Sequence, residues 1–306
     1  MPNNSHELAK FEVTNVSKTF GDKQALRSVS LKAEQGELVG LVGANGGGKT
    51  TLLRLMLGIL DADAGSVRLF GEEPPYDQGV KQRIGYVAQQ LSLYPDLTLF
   101  ENLRFHADIY SVFHSHHALE SHAGRFELLP FFDKRLSALS GGWARVTQLA
   151  CNLVHSPSVL LLDEPTAGLD ASMRARVWSF LNDYTHQGGL VVISTHDLDE
   201  AQQCDKLMFL ADGGELFSGQ PRAILDSNEI EILFIKNSII RQLDEVLIEQ
   251  KMTCVLQPFL GGIKAVYSSK HSGAVRDAVI ALGGEFEFLQ PSLADVGAFS
   301  LAARAR

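Results

Sequence analysis

A glycine-rich stretch between two apolar patterns constrains the fold of this chain more than any other feature. Residues 43–50 read Gly-Ala-Asn-Gly-Gly-Gly-Lys-Thr, which fits the pattern G-x-x-x-x-G-K-[ST]. The mostly apolar residues 37–42 before it are typical of a buried strand, and residues 50–57, closed by Gly58, are typical of a helix. A strand that runs through a glycine loop into a helix predicts an α/β fold with a mostly parallel sheet.

The composition of this loop predicts a phosphate-binding site. Glycines allow backbone N–H groups to converge on a phosphate, and the N-terminus of the following helix adds a favourable dipole. Lys49 can bridge the β and γ phosphates of a nucleotide, and the Thr50 hydroxyl can bind Mg²⁺. The alternative is a glycine-rich turn with an incidental lysine, and the strand and helix on either side argue against it.

Polar side chains also follow two further apolar runs. Residues 158–162 lead into Asp163 and Glu164, and residues 190–194 precede His196. At the end of a strand beside a phosphate loop, Asp163 can bind Mg²⁺ through water and Glu164 can polarise an attacking water as a general base. His196, at another strand end of the same sheet, can donate a hydrogen bond to a γ-phosphate. The competing interpretation is that the two carboxylates only cap a loop.

Composition and charge exclude several classes of protein. Apolar residues make up 45% and charged residues 21%, so the chain can bury a sizeable core. Lys plus Arg is 27 and Asp plus Glu is 36, and the net charge of −9 argues against a nucleic-acid partner. The three cysteines lie far apart, without zinc or disulfide spacing. We expect no membrane span, no signal peptide and a cytoplasmic location.

The chain is predicted to contain two domains with a boundary near residue 225. The first, residues 1–225, has a β-rich N-terminal part and a strand-poor helical subdomain at about residues 92–155. The second, residues 226–306, shows the order β-α-β-β-α-β with a hairpin at its centre, which is typical of a small ferredoxin-like α+β domain.

A second short motif identifies the family that the chain resembles. Residues 139–143, Leu-Ser-Gly-Gly-Trp, end 20 residues before Asp163. They are similar to the LSGGQ signature of the ATP-binding cassette (ABC) ATPases, the motor subunits of membrane transporters, and the resemblance covers about residues 8–225. It implies a P-loop NTPase core. It also implies that the signature contacts the γ-phosphate of an ATP held by a partner subunit, so that two subunits pack head to tail around two nucleotides.

The resemblance assigns roles to further residues. Phe20 corresponds to the aromatic residue that stacks on adenine, and Gln89 to the glutamine that senses Mg²⁺ and acts in hydrolysis with Glu164 and His196. Thr50, Gln89 and Asp163 correspond to the residues that hold Mg²⁺. The implied nucleotide contacts are Phe20, Asn45, Gly46, Gly47, Gly48, Lys49, Thr50, Thr51, Ser140, Gly141 and Gly142.

The function implied by the resemblance is ATP hydrolysis coupled to membrane transport, with ATP and Mg²⁺ as cofactors. The implied partners are a membrane permease, which would contact the chain near Gln89 and residues 91–97, and a second ATP-binding subunit, identical or homologous. The chain would lie on the inner face of the cell membrane. Residues 290–296 resemble the ends of ATPase subunits of drug, polysaccharide and cytochrome-maturation exporters. An importer subunit and a non-transport ABC ATPase acting on ribosomes or DNA are the alternatives.

Two features leave alternatives open. Trp143 replaces the usual glutamine of the signature, which either leaves hydrolysis intact or marks a module that binds ATP without hydrolysing it. Five histidines crowd residues 106–122 and are expected to form a solvated face of the helical subdomain, with a metal site as the alternative.

Overall fold

The computed structural model describes residues 10–227, 229–236 and 240–304. The chain divides into two compact units between Glu215 and Leu216. This division lies before the boundary predicted near residue 225, because helix α8 (Pro221–Asp226) packs against the C-terminal helix α11 (Leu293–Arg304) of the second unit.

The first unit is built on two sheets. Its strands are β1 (Lys10–Phe20), β2 (Lys23–Glu34), β3 (Leu38–Val42), β4 (Ala64–Leu69), β5 (Ile84–Val87), β6 (Val159–Asp163), β7 (Leu190–Thr195), β8 (Lys206–Ala211) and β9 (Gly214–Gly219). The last of these, β9, contains the division between Glu215 and Leu216. One sheet is antiparallel, in the order β2-β1-β4. The other has the order β5-β6-β7-β3-β8-β9, and its pairs from β5 to β8 are parallel. The predicted fold class is confirmed.

Seven helices are described in the first unit. They are α1 (Lys49–Met56), α2 (Gln78–Lys81), α3 (Leu99–Ile109), α4 (His116–Gly124), α5 (Gly141–Leu153), α6 (Ala171–His186) and α7 (Leu198–Ala201). Every residue between β5 and β6 is described, and no strand forms there, as the strand-poor sequence predicts. No helix in the described part of the chain combines the length and apolarity needed to cross a membrane.

The parallel sheet determines where the polar residues lie. Every residue of β3, β6 and β7 is buried, as expected for parallel strands covered by helices on both faces. The carboxyl ends of adjacent parallel strands open at one edge of a sheet. The glycine loop follows β3, the acidic pair closes β6, His196 follows β7 and Gln89 follows β5. All four predicted site segments therefore lie along the same edge.

The second unit has the predicted ferredoxin-like topology. After α8, its elements are β10 (Ile230–Ile235), α9 (Ile240–Glu249), β11 (Cys254–Phe259), β12 (Gly262–Ser268), α10 (Ser272–Ala281), β13 (Phe286–Leu289) and α11. The strands form an antiparallel sheet in the order β11-β12-β10-β13. Leu233 and Ile235 point toward α9 and α10, whereas Ile230 and Ile232 pack with Phe299 of α11. Helix α11 was not predicted, because residues 293–304 are mostly small and apolar and lack a 3.6-residue polar period.

Candidate active site

The loop after β3 requires glycine at several positions. Gly43, Gly46 and Gly48 have φ angles of 144°, 82° and 109°, in the region that side chains disfavour. A Cβ atom at Gly43 would lie 2.1 Å from the carbonyl oxygen of Leu210, and one at Gly48 would lie 2.8 Å from that of Ala25. Glycine is therefore needed at these positions for two reasons: the backbone conformation, and the close packing of the loop on β2 and β8.

Lys49 is the buried cation of this loop. It is the first residue of α1, and its Nζ donates hydrogen bonds to the carbonyl oxygens of Gly43 (2.7 Å) and Ala44 (3.1 Å). The same Nζ lies 3.7 Å from Oε1 of Glu164. Burial lowers the pKa of Lys49, and the carboxylates of Glu164 and Asp163 oppose that effect. The ammonium is therefore held between the loop carbonyls and a carboxylate.

Asp163 connects the helix after the loop to strand β7. Its Oδ1 accepts hydrogen bonds from Thr50 Oγ1 (3.1 Å) and from Ser194 Oγ (2.6 Å). Thr50 and Asp163, predicted separately from two motifs, are thus brought together. Ser194 was not predicted as a site residue, although it stands opposite Asp163 in the register of β6 and β7. The sequence feature that could have indicated Ser194 is its position as a polar residue near the end of the otherwise apolar strand β7.

The Glu164 side chain contacts both of the other predicted catalytic residues, Gln89 and His196. Gln89 Nε2 donates to Glu164 Oε2 at 3.1 Å, and His196 Nδ1 lies 3.5 Å from the same oxygen. The backbone of Glu164 has a positive φ of 49°, which is uncommon for a non-glycine residue. Its N–H donates to the carbonyl (3.2 Å) and hydroxyl (3.0 Å) of Ser194, which hold this strained conformation.

These residues surround a cleft of about 390 Å³. Its lining consists of Phe20, Lys23, Ala25, Asn45, Gly46, Gly48, Lys49, Thr50, Thr51, Gln89 and Glu164. Phe20, at the end of β1, is 47% exposed, so its ring is accessible to a ligand. Gly47 lies in the same loop, with its N–H bonded to the carbonyl of Ala44. Lys23 and Ala25 were not predicted, because only the chain reversal between β1 and β2 brings them to the loop.

The signature residues lie in a different cleft. Ser140 and Gly142 line a space of about 410 Å³, and its other lining residues are Trp143, Gly168, Asp170, Ser172, Met173 and Arg176. Gly141 begins α5, and within the described structure the Ser140 side chain makes no capping hydrogen bond to that helix. The predicted nucleotide contacts therefore fall into two groups. Ser140, Gly141 and Gly142 lie at the signature cleft, and the other predicted contacts lie at the cleft around Lys49.

Two residues of α5 hold the segment that carries Gln89, and neither was predicted. Arg145 donates to the carbonyl oxygens of Ala88 (3.0 Å) and Gln89 (2.5 Å). Gln148, which is fully buried, accepts from Arg145 and donates to the carbonyl oxygen of Gln90 at 3.0 Å. The signal in the sequence was a pair of polar residues three apart in a helix that is otherwise largely buried. The signature helix and the Gln89 segment are thus mechanically connected.

Trp143 packs inside the helical subdomain. Its indole is half-buried, with its ring centroid 4.7 Å from that of Phe131, and its carbonyl oxygen accepts a hydrogen bond from Thr147 Oγ1 at 2.8 Å. The side chain also lines the signature cleft. Trp143 therefore serves as an apolar anchor for the start of α5.

We expect Trp143→Gln to retain ATPase activity within about tenfold, because the groups expected to contact an anion at the signature are helix-end amides and Ser140 and do not include the side chain of residue 143. The same change should lower the melting temperature by a few degrees, since it removes about 2 kcal/mol of apolar and aromatic packing. Steady-state ATPase assays and calorimetry check both, with Phe131→Leu as the control that weakens the same ring contact and leaves the signature sequence unchanged. Loss of all ATP-dependent dimerisation in Trp143→Gln would contradict the expectation.

The five histidines of residues 106–122 have separate surroundings. His114 Nε2 lies 2.9 Å from Asp108 Oδ1, His122 Nε2 lies 2.8 Å from the carbonyl oxygen of Ala150, and His116 packs on Phe100. No group of three or more potential ligands within the described ranges is arranged to hold a metal ion. The contacts give no support to the metal interpretation.

Comparisons with known proteins agree with this geometry. Residues 26–167 match the family described as ABC transporter. The Nod factor export ATP-binding protein I of Burkholderia lata is 38% identical over 228 residues, which are 72% of this chain and 74% of that protein. The "Probable multidrug ABC transporter ATP-binding protein YbhF" of Escherichia coli K12 is 38% identical over 66% of this chain and 36% of that protein.

Solved structures with the same fold are ABC cassettes. The dimeric structure of the bacterial ABC transporter cassette MJ0796 superimposes with a TM-score of 0.63, at 26% identity, over 69% of this chain and 98% of that chain. An ATP-binding subunit of an ABC transporter has a TM-score of 0.63 at 25% identity over 71% of this chain and 92% of that chain. The chain matches 74% of the Nod factor export protein and 98% of the MJ0796 cassette, and it carries a phosphate loop, an acidic pair and a signature in the expected order. This chain therefore belongs to the ABC transporter family as one of its ATP-binding ATPase subunits.

Proposed function

We propose that this chain hydrolyses Mg²⁺-bound ATP in the cleft around Lys49 and thereby energises a membrane exporter. The observation that carries the proposal is the convergence of Lys49, Thr50, Asp163, Glu164 and Gln89 along one sheet edge. These residues come from three separate segments of the chain. Each supplies a group that phosphoryl transfer to water requires.

The cleft provides a contact for each part of ATP. Phe20 is exposed at the mouth, where its ring can stack on the adenine. The backbone amides of the glycine loop and the N-terminus of α1 face the phosphates. Lys49 then exchanges its contact with Glu164 for the β and γ phosphates, which releases the Glu164 carboxylate for water.

The residues around Asp163 fit a magnesium ion. The Thr50 hydroxyl and the Asp163 carboxylate are hard oxygen donors whose atoms lie 3.1 Å apart, and the Gln89 amide reaches the same region from β5. Thr50, Gln89 and, through water, Asp163 would hold the ion. When bound, Mg²⁺ neutralises charge that develops on the phosphate oxygens.

Glu164 is the proposed general base. Its carboxylate is buried, and His196 and Gln89 contact the same oxygen, so its orientation is fixed before a water arrives. Glu164 accepts the proton of the attacking water, while His196 is placed to donate a hydrogen bond to the γ-phosphate. Catalysis then depends mainly on positioning and on charge stabilisation.

The proposed functional form is a dimer, either of this chain or with a homologous subunit. The support is that Ser140 and Gly142 line a cleft that shares no lining residue with the cleft around Lys49. A second subunit arranged head to tail would bring its signature to that nucleotide. The fold similarity to the dimeric MJ0796 cassette supports the same arrangement.

An exposed apolar patch, formed by Tyr94, Phe105 and Ile109, is the proposed permease-docking surface. The rings of Tyr94 and Phe105 are 4.9 Å apart, Ile109 lies one helical turn further along α3, and these side chains are 49%, 37% and 56% exposed. Exposed patches of large apolar side chains mark protein interfaces. This patch follows the segment held by α5, so a permease that pushes on it would move Gln89. In this assignment the chain lies on the cytoplasmic face of the membrane.

The double variant Phe105→Glu/Ile109→Glu tests the docking surface. We expect it to lose co-purification with the permease from detergent-solubilised membranes and to keep the ATPase activity of the isolated chain, because the patch lies outside the nucleotide cleft. Ile59→Glu, at a side chain that is 61% exposed after α1, is the matched control and should still co-purify. Undiminished co-purification of the double variant would remove the patch from the proposal.

Export rather than import is supported by the Nod factor export and multidrug relatives. Inverted membrane vesicles, which expose the ATP-binding subunit to the buffer, test the direction. An exporter should accumulate its solute inside such vesicles on addition of ATP, and accumulation should stop with Lys49→Ala. An importer would instead empty preloaded vesicles.

A further inference from the structure

A buried carboxylate outside the described cleft links two of the loops that form the site. Glu200, on the short helix α7, is 4% exposed. Its Oε2 accepts hydrogen bonds from Thr166 Oγ1 at 2.7 Å and from Thr195 Oγ1 at 3.1 Å. Its Oε1 lies 3.1 Å from Nε of Arg174 on α6. One carboxylate therefore contacts three separate segments.

The two threonines flank the residues proposed to act on ATP. Thr166 comes two residues after Glu164, and Thr195 comes directly before His196. Because a single oxygen of Glu200 accepts from both hydroxyls, it fixes the two loops relative to each other. Beside these two threonines, Glu164 Oε2 and His196 Nδ1 lie 3.5 Å apart.

Arg174 completes the connection. Its Nη1 donates to Asp197 Oδ2 at 3.2 Å, and its Nη2 lies 3.5 Å from the carbonyl oxygen of Leu169. The guanidinium therefore spans the loop after β6 and the loop after β7, as Glu200 does from the buried side. The positive charge of Arg174 also compensates the buried carboxylate of Glu200, which would otherwise be costly to desolvate.

A role limited to capping α7 does not account for this carboxylate. The cap of α7 is Asp197, whose Oδ1 accepts from the backbone N–H groups of Asp199 (2.9 Å) and Glu200 (3.2 Å). The side chain of Glu200 instead accepts from Thr195, which precedes that cap, and from Thr166 in the loop after β6.

We propose that Glu200 is a positioning residue for hydrolysis, which holds Glu164 and His196 at their working separation through Thr166 and Thr195. The inference rests on the proposed roles of Glu164 and His196. The side-chain contacts of Glu200 are Thr166, Thr195 and Arg174, and none of these residues lines the nucleotide cleft. Its loss should therefore slow the chemical step and leave ATP binding intact, because the phosphate loop does not depend on it.

Glu200→Gln is the primary test, since it preserves size and removes the charge shared with Arg174. We expect kcat to fall about tenfold, as expected for a displaced catalytic group, with KM for ATP changed less than about threefold. Binding of a fluorescent ATP analogue should be similarly preserved. Asp199→Asn is the matched control, because it removes an exposed carboxylate from the same helix, and it should retain the parental kcat.

Threonine variants separate positioning from general stability. Thr166→Val and Thr195→Val keep side-chain volume and remove the hydroxyl that Glu200 accepts from, and each should lower kcat several-fold at unchanged KM. Thr195→Ser keeps the hydroxyl and should restore kcat. If both valine variants retain the parental kcat, or if Glu200→Gln does so, the proposal is overturned. A Glu200→Gln protein that melts early while the valine variants keep their activity also overturns it, in favour of a structural role.

A double variant distinguishes failure of this inference from failure of the proposed function. If Glu200 acts through Glu164, adding Glu200→Gln to Glu164→Gln should slow hydrolysis by less than about twofold beyond the single change, since coupled residues are non-additive. Independent, multiplicative losses would overturn the positioning role and leave the base assignment standing. Parental activity in Glu164→Gln alone would instead refute Glu164 as the base.

Discussion

Glu164→Gln lowers the steady-state ATPase rate by a factor of about 10² or more, because the amide cannot accept the proton of the attacking water. The substitution preserves the size of the side chain, and one amide oxygen can still accept the hydrogen bond that Gln89 donates to Glu164 Oε2. ATP binding should therefore survive. The loss should appear in kcat, and KM for ATP should change much less.

The same variant should accumulate an ATP-bound dimer. If hydrolysis normally separates the subunits, a protein that binds ATP and cannot hydrolyse it remains closed. Size-exclusion chromatography or light scattering with ATP and Mg²⁺ measures this directly. Glu249→Gln, an exposed carboxylate on α9, is the charge-matched control and should hydrolyse ATP at the parental rate. Hydrolysis by Glu164→Gln at the parental rate would show that another group activates the water.

Local patterns were sufficient to predict the central part of the fold and which segments lie together at one edge of the parallel sheet. The phosphate loop, the acidic pair and His196 each follow a short apolar run, and parallel strands bring their carboxyl ends to one edge. The contact between Thr50 and Asp163 follows from that geometry, although the two residues are 113 positions apart. The same patterns predicted the antiparallel second unit, because its strands alternate and its turns carry glycine pairs.

Contacts that depend on how helices pack could not be read from the sequence. Arg145 and Gln148 hold the Gln89 segment only because α5 lies against the end of β5. Glu200 contacts Thr166 and Thr195 only because α6 and α7 close over adjacent loops. Each of these side chains is an ordinary polar residue in a helical pattern. The structure indicates the role of such a side chain because it shows the polar group to be buried, and a buried polar group is expected to have hydrogen-bond partners.

Local pattern alone does not distinguish Ser140, Gly141 and Gly142 from the phosphate loop, and only the resemblance to the ABC ATPases assigned them to the nucleotide of a partner subunit. In sequence both segments are glycine-rich helix starts, and either can bind an anion. The structure separates them into two clefts that share no lining residue. Local pattern predicts an anion contact at each segment, and the structure adds that the two segments lie in separate clefts.

Lys49→Ala abolishes productive ATP binding and, with it, hydrolysis to background. The Nζ of Lys49 is the only cation that the described structure places within 4 Å of Glu164 from inside the phosphate loop, and the loop carbonyls of Gly43 and Ala44 hold it there. Removing it leaves the triphosphate without its central counter-charge. It also leaves the buried Glu164 carboxylate without its ion pair, which adds repulsion toward an anionic ligand.

The expected loss of ATP affinity is at least about 10²-fold, because a buried charge-assisted contact to phosphate is worth about 3 kcal/mol or more when one partner is truncated. Isothermal titration with ATP and Mg²⁺, beside a steady-state assay, measures it. Lys49→Arg separates charge from shape: it keeps the charge, and the wider guanidinium does not fit between the two loop carbonyls, so activity should recover little. A folded Lys49→Ala protein, by circular dichroism, that hydrolysed ATP normally would contradict the phosphate-loop assignment, since no other described side chain could substitute for this ammonium from within the loop.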